Sequence, residues 1–245
     1  MRPDLAIYAL DLAKKQKKAT VKDLREINRV LKKVKEKESK VIFTRVGDKR
    51  ELSVIGVSDA SYHSDGRSVA GEVIMMGNRN NGKVAPVYWR SGVIRKVCVL
   101  PKAAETRALL RLMEDCVHMA KQLSQLMGVE IRTRLFTDSM PLLESLGSSG
   151  QIEEKALRQS VSYLKQGLED DEVIGYSWIP GEEIVADVMT KQESTRDALE
   201  EIMVKNKFAH MDSKDNMVTF EDDEFKIRNL VTKRDKQDQK ENKKR

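Results

Sequence analysis

Cysteine is nearly absent from this chain: Cys98 and Cys116 are the two in 245 residues, in apolar surroundings and without Cys-x-x-C spacing. That scarcity excludes a disulfide-stapled fold and a thiolate metal site, and reduced core thiols are the expectation. Three scattered histidines, His63, His118 and His210, do not assemble a zinc ligand set either. Long apolar runs are missing as well. Uncharged stretches such as 97–101 fall far short of the roughly 20 residues that a bilayer span needs, and no apolar segment of signal-peptide type follows Met1-Arg2. A soluble, non-secreted chain with no membrane partner is therefore expected. What is present is 40% apolar and 34% charged residues, enough to bury a core under a wet surface.

The charge is uneven, and the unevenness suggests the domain cuts. Residues 1–40 hold 13 Lys/Arg against 6 Asp/Glu, residues 41–191 hold 19 against 20, and residues 192–245 hold 13 of each. In the basic segment, Thr20-Val21-Lys22-Asp23 reads as a helix start of the capping-box kind. Leu24, Ile27, Leu31 and Val34 follow at three- and four-residue spacing, with Arg25, Arg29 and Lys32 on another face. The pattern predicts an amphipathic helix with its apolar side on a core and its basic side toward solvent or phosphates, preceded by a shorter helix over 5–15. At the other end, residues 233–245 contain no apolar side chain and are expected to be disordered. Between that tail and residue 191, the stretch 192–232 reads as a helical and irregular extension.

The middle segment alternates between strand and helix patterns. Residues 52–58, 68–76 and 84–89 predict three consecutive antiparallel strands, separated by turns at Asp65-Gly66 and Asn80-Asn81-Gly82. Pro101 suits a first helical turn, and Leu109, Leu112, Cys116, Ala120 and Leu123 make an apolar stripe that ends before Gly128. Further strands are expected over 131–137 and 173–179, and helices over 140–146, 156–168, 183–191 and 195–205. The result is an α/β fold with a mixed five-stranded sheet flanked by helices.

Four carboxylates fall where such a domain does not need them. Asp59 closes the first strand, Glu105 starts the long helix, Asp138 ends the fourth strand, and Asp187 lies within Ala186-Asp187-Val188-Met189. Apolar or small neighbours bracket each one and draw it toward the interior, which is costly without a positive partner. Taken singly, they read as strand-end caps and a helix first-turn acid. Taken together, in the order strand, helix, strand, helix, they point to a hard divalent cation held by carboxylates.

Val57-Ser58-Asp59-Ala60-Ser61, Arg67-Ser68-Val69-Ala70-Gly71, Trp89-Arg90-Ser91-Gly92-Val93-Ile94-Arg95-Lys96-Val97, Ala103-Ala104-Glu105-Thr106-Arg107-Ala108-Leu109, Thr137-Asp138-Ser139, Trp178-Ile179-Pro180 and Ala186-Asp187-Val188-Met189-Thr190-Lys191 follow one another in order. Together these blocks resemble the ribonuclease H domain of copia-type LTR retrotransposon polyproteins. Arg2-Pro3-Asp4-Leu5-Ala6 and Ala19 to Leu24 resemble the end of the reverse transcriptase and its connection in the same polyproteins. The resemblance implies a ribonuclease H-like fold over 41–191 with an N-terminal helical extension over 1–40. It implies hydrolysis of the RNA strand of RNA–DNA hybrids, with Asp59, Glu105, Asp138 and Asp187 as catalytic and metal-binding residues. Two Mg2+ ions are expected, replaceable by Mn2+. The partners implied are the hybrid and the remainder of a reverse transcriptase, in cytoplasmic particles or the nucleus. Arg25, Arg29, Lys32, Arg90 and Ser91 are the expected nucleic-acid contacts, while Trp89 and Trp178 read as packing residues.

The polymerase's Tyr-x-Asp-Asp block is absent, so this chain is not expected to copy nucleic acid. Glu72 stands where the family commonly has an aromatic residue, and Pro180-Gly181-Glu182-Glu183 lacks a loop histidine. Glu182 and Glu183 read as solvated acids. Two alternatives use the same residues: a domesticated nucleic-acid-binding module without catalysis, and a structure-specific DNA nuclease on the same fold.

Overall fold

A computed structural model describes residues 2–36, 40–64, 67–148, 154–211 and 216–228. At its centre is β1 (Leu52–Ser61), and all but the last of its ten residues are buried, as a strand covered on both faces requires. β1 pairs antiparallel with β2 (Val69–Asn78), which pairs antiparallel with β3 (Val84–Val93). On its other side β1 runs parallel to β4 (Arg132–Thr137), and β4 runs parallel to β5 (Val173–Trp178). The parallel pairs are reached through helices: α3 (Pro101–Met127) before β4, then α4 (Met140–Gly147) and α5 (Lys155–Glu169) before β5. Pro101 opens α3 and Gly128, at φ 65°, closes it with the left-handed cap that only glycine adopts freely.

The sheet has seven strands, not the expected five. β6 (Met217–Glu221) and β7 (Glu224–Arg228) form a hairpin that extends the order to β3-β2-β1-β4-β5-β6-β7. Its turn is Asp222-Asp223, both residues at positive φ (54° and 61°), the geometry of a tight two-residue hairpin. The stretch read as helical and irregular thus contributes α6 (Asp197–Met203) and two strands. The helix expected over 183–191 is instead two 3-10 turns, Gly181–Glu183 and Val185–Met189. The Asp65-Gly66 turn and the 233–245 tail lie outside the described residues.

Alternation along the strands divides the core in two. Val54, Leu135 and Tyr176 meet α3, α4 and α5 through Leu109, Leu112, Leu142 and Leu164. Ile55, Val57 and Phe136 meet the 184–189 segment and α6 through Val185, Met189, Leu199 and Ile202. Among the described residues no helix is long and apolar enough to cross a membrane.

The N-terminal helices are α1 (Ala6–Lys15) and α2 (Val21–Glu36). Ile7 and Tyr8 pack with Val69 at the start of β2, joined by Val30 of α2. Thr20 and Asp23 form the expected reciprocal cap, backbone to side chain in both directions, at 2.9 and 3.4 Å. The hydrogen bonds from Thr20, with Lys15 beside them, hold the Asp23 carboxyl down at about 2. The apolar stripe of α2 is only half covered: Ile27 and Val34 are half-buried, whereas Leu24 is 58% and Leu31 51% exposed. Val30 faces inward instead, because among the described residues no further layer covers the outer side of α2.

Candidate active site

Strand register builds the site. Val57 of β1 stands opposite Phe136 of β4, so continuing both parallel strands by two residues brings Asp59 beside Asp138. Both lie on the sheet face covered by the 184–189 segment. Glu105 comes from the opposite face, in the second turn of α3, and its carboxylate accepts a hydrogen bond from the Ala60 backbone. One oxygen each of Asp59, Glu105 and Asp138 fall within 4.8 Å of one another.

These acids are poorly solvated. Burial pushes the Asp59 carboxyl up to about 6, against the hydrogen bond it accepts from the Thr190 hydroxyl. Glu105 rises to about 9, first through burial and then through the negative charges of Asp59 and Asp138. Asp138 rises for the same leading reason. Glu105 Oε2 is buried without a hydrogen-bond partner. Converging carboxylate oxygens with unused lone pairs form a donor set suited to a hard divalent cation, so the residues present fit one.

Asp187 stands at the edge of this triad, on the Val185–Met189 turn, and pairs with Lys191 four residues on. Its charge still raises Asp59 and Asp138, while Lys191 lowers both. Three of the four expected carboxylates therefore meet directly and the fourth joins through electrostatics. Thr190 and Lys191 belonged to the resemblance block, but their local pattern carried no hint that one would bind Asp59 and the other would neutralise the cluster.

The turn carrying Asp187 rests on β2 and β3. Ser91 Oγ donates to the Met189 carbonyl at 2.6 Å, and Gly71 leaves room for the turn's backbone. A methyl group on Gly71 would lie 2.6 Å from the Ala186 carbonyl oxygen and 2.7 Å from Met189 Cβ. Gly71→Ala is expected to lower stability by about 1–3 kcal/mol and to move Asp187 away from Asp59. Chemical denaturation and a divalent-cation titration test this; an unchanged cation affinity would show that the turn absorbs the methyl elsewhere.

Ser91 thus points to the Asp187 turn, whereas Arg90, its neighbour on the strand, lies exposed toward the α3 face opposite Glu72. Arg25, Arg29 and Lys32 are exposed on α2; Arg29 pairs with Glu26 and Lys32 with Glu36. Trp178 is half-buried, and its indole donates to the Asp138 carbonyl at 3.0 Å, which steadies the end of β4. Glu182 and Glu183 are exposed, and Glu183 meets His210 at 2.9 Å.

No protein-family model matches the chain, and no curated protein is significantly similar to it. Solved structures do align. LC11-RNase H1, isolated from compost by a metagenomic approach, is 17% identical over 60% of this chain and 98% of its own, with a TM-score of 0.43. RNase H1 from the archaeon Halobacterium salinarum gives 17%, 61%, 98% and 0.41, and the prototype foamy virus RNase H domain 13%, 59%, 94% and 0.38. The fold is ribonuclease H-like. Its assignment rests on this chain's own core order β3-β2-β1-β4-β5, in which β2 alone runs against the rest. The ribonuclease H-like region is followed by α6 and the added hairpin, and preceded by α1 and α2.

Proposed function

We propose that this chain is a metal-dependent endoribonuclease that hydrolyses the RNA strand of RNA–DNA hybrids. The observation that carries the reading is the convergent oxygen cluster of the buried Asp59 and the half-buried Glu105 and Asp138 at the open ends of β1 and β4. Asp59 and Asp138 would be shared ligands, with Glu105 completing one cation position and Asp187 the other. Mg2+ bound there supplies Lewis acidity for phosphodiester hydrolysis. In that reaction the oxygen of water joins phosphorus and the P–O3′ bond breaks, leaving a 5′ phosphate and a 3′ hydroxyl.

The protein's own groups set the conditions. Glu105, titrating near 9, holds a proton at neutral pH and must give it up before its carboxylate can act as a ligand. Lys191 neutralises part of the cluster's charge and holds Asp187 at its edge. Thr190 anchors Asp59 against the Asp187 turn. Selection of the hybrid would follow from its groove shape and its 2′-hydroxyls, and not from base sequence.

The motif blocks shared with copia-type ribonuclease H domains support a retrotransposon origin and a place beside a reverse transcriptase, in cytoplasmic particles or the nucleus. In that organisation residues 1–40 are the connection and 41–191 the catalytic domain. The nearly neutral 41–191 segment offers little phosphate attraction, so the Arg25/Arg29/Lys32 face would provide it; Val30 places α2 at the same end of the sheet as the carboxylates. Replacing all three by Ala is expected to reduce the slope of log K for hybrid binding against log salt by up to about 2.7 units. An unchanged slope would remove this face from the substrate path.

The experiment is cleavage of an end-labelled RNA–DNA hybrid beside RNA–RNA and DNA–DNA duplexes, in Mg2+ and in EDTA. Cleavage of the RNA strand of the hybrid alone, lost in EDTA, is the expected result. Cleavage of DNA would shift the assignment to a DNA nuclease. A folded protein that binds hybrid without cutting it would make it a binding module.

A further inference from the structure

Beyond Glu105, α3 forms one wall of a second cleft of about 330 Å³, closed by the end of β3 and the 94–96 connection. Five cationic side chains line it: Arg90, Arg95, Lys96, Arg107 and Arg111. Against these five stand three acids: Glu114 on the lining, Glu72 below, which is 1% exposed, and Asp115, close enough to raise the Glu72 carboxyl. Arg111 Nε lies 3.2 Å from Glu72 Oε1; among the described residues Arg90, Arg95, Lys96 and Arg107 form no ion pair. The cleft therefore carries surplus positive charge.

Its interior is built, not incidental. Glu72 and Arg90 are paired in register across β2 and β3, so the buried carboxylate sits beneath both Arg90 and Arg111. Neither oxygen of Glu72 has a hydrogen-bond partner, and Arg107 Nε is also buried without one. Both guanidinium groups come close to Gly92: a methyl group there would make ordinary contacts, 3.4 Å to Arg90 Nε and 3.5 Å to Arg111 Nη1. Glu72 offsets only part of the positive charge of the cleft, so its guanidinium groups are left open to a further anion. Planar forks of N–H donors match the oxygens of a phosphate group.

The position on the helix selects the kind of phosphate. At 100° per residue, Arg107 and Arg111 lie about 200° and 240° around α3 from Glu105, and Arg111 about 9 Å further along the axis. A stiff duplex lying over Glu105 does not bend round a helix flank, whereas a single strand does. We propose that this cleft binds the backbone phosphates of a single-stranded extension of the nucleic acid whose duplex part lies at the carboxylates. This deepens the proposed function and rests on it.

The test compares binding, in EDTA, of a blunt hybrid, the same hybrid with a short single-stranded tail, and the single strand alone. The proteins are the full chain, the exposed double variant Arg95→Ala/Lys96→Ala and the single variant Arg107→Ala. The full chain is expected to bind the tailed hybrid about five- to tenfold more tightly than the blunt one. Both variants should lose that advantage, and the double variant should lower the salt slope for the tailed hybrid by about 1.4. Equal binding of tailed and blunt hybrids by the full chain would overturn the proposal. So would variants that weaken both substrates alike, which would make the cleft a duplex contact. Inorganic pyrophosphate binding the full chain while the tail has no effect would identify a site for small phosphates instead. If no hybrid binds at all, the single-strand arm separates the two ideas: variant-sensitive binding of the strand keeps the cleft and removes the hybrid-nuclease reading.

Discussion

Asp138→Asn is expected to reduce hydrolysis of the hybrid by about a thousandfold or more while leaving the protein folded and no less stable. The activity loss follows from position. Asp138 shares the oxygen cluster with Asp59 and Glu105, and an amide in its place offers a neutral oxygen and an N–H donor where a cation ligand is required. Losing a single electrostatic stabiliser of a transition state commonly costs two to three orders of magnitude, and here cation binding fails as well. The stability expectation has the opposite sign. Asp138 is one of several mutually repelling, poorly solvated carboxylates, so its neutral isostere relieves repulsion in the cation-free protein. A single-turnover cleavage assay paired with a thermal melt in EDTA reads both effects. Full Mg2+-dependent cleavage by the variant would remove Asp138 from the reaction; a collapsed melt would mean that the carboxylate holds the end of β4 together.

In EDTA the protein is expected to lose stability as pH rises from about 4 to 9, and divalent cation should restore most of the loss. The sign follows from proton counting. Asp59 is raised from 3.8 to about 6, and Glu105 from 4.5 to about 9. Between the unfolded and folded values the native state keeps a proton that the unfolded chain has released, so unfolding becomes more favourable with each increment of pH. The Asp59 contribution develops between 3.8 and about 6 and that of Glu105 between 4.5 and about 9. Below both windows the penalty is absent, and above about 9 it is complete. The two acids repel each other and titrate as a coupled pair, so their contributions do not add independently. A bound cation favours the charged carboxylates, expels their protons and stabilises the native state by mass action. Thermal melts across this range, in EDTA and in saturating Mg2+, should diverge progressively toward alkaline pH. Parallel curves would show that cation and acids are not linked.

The chemistry was more legible than the geometry. Asp59 and Asp138 stood out because each ends a β-branched or apolar strand whose alternation is strong, and Glu105 because Pro101 marks the helix start four residues earlier. Helix α3 was readable at both ends for the same local reasons. The hairpin of β6 and β7 was not, since Asp222-Asp223 replaces the usual glycine-containing turn and charged residues cover much of its strands. The 183–191 stretch has a helical pattern of apolar residues, yet the backbone forms 3-10 turns, with Ala186 and Met189 packed against Gly71 of a neighbouring strand.

Local sequence alone determined the central strands, the long helix and three of the residues that form the candidate site, because periodicity, caps and strand ends are properties of neighbouring residues. Only the tertiary structure decided that Asp59 and Asp138 stand side by side, that Lys191 and Thr190 reach them, that Leu24 and Leu31 of α2 face outward, and that arginines from β3, its connection and α3 share one cleft. Those facts depend on which strand lies next to which and on what covers each face. They are set by packing between segments distant in the chain, which no local pattern records.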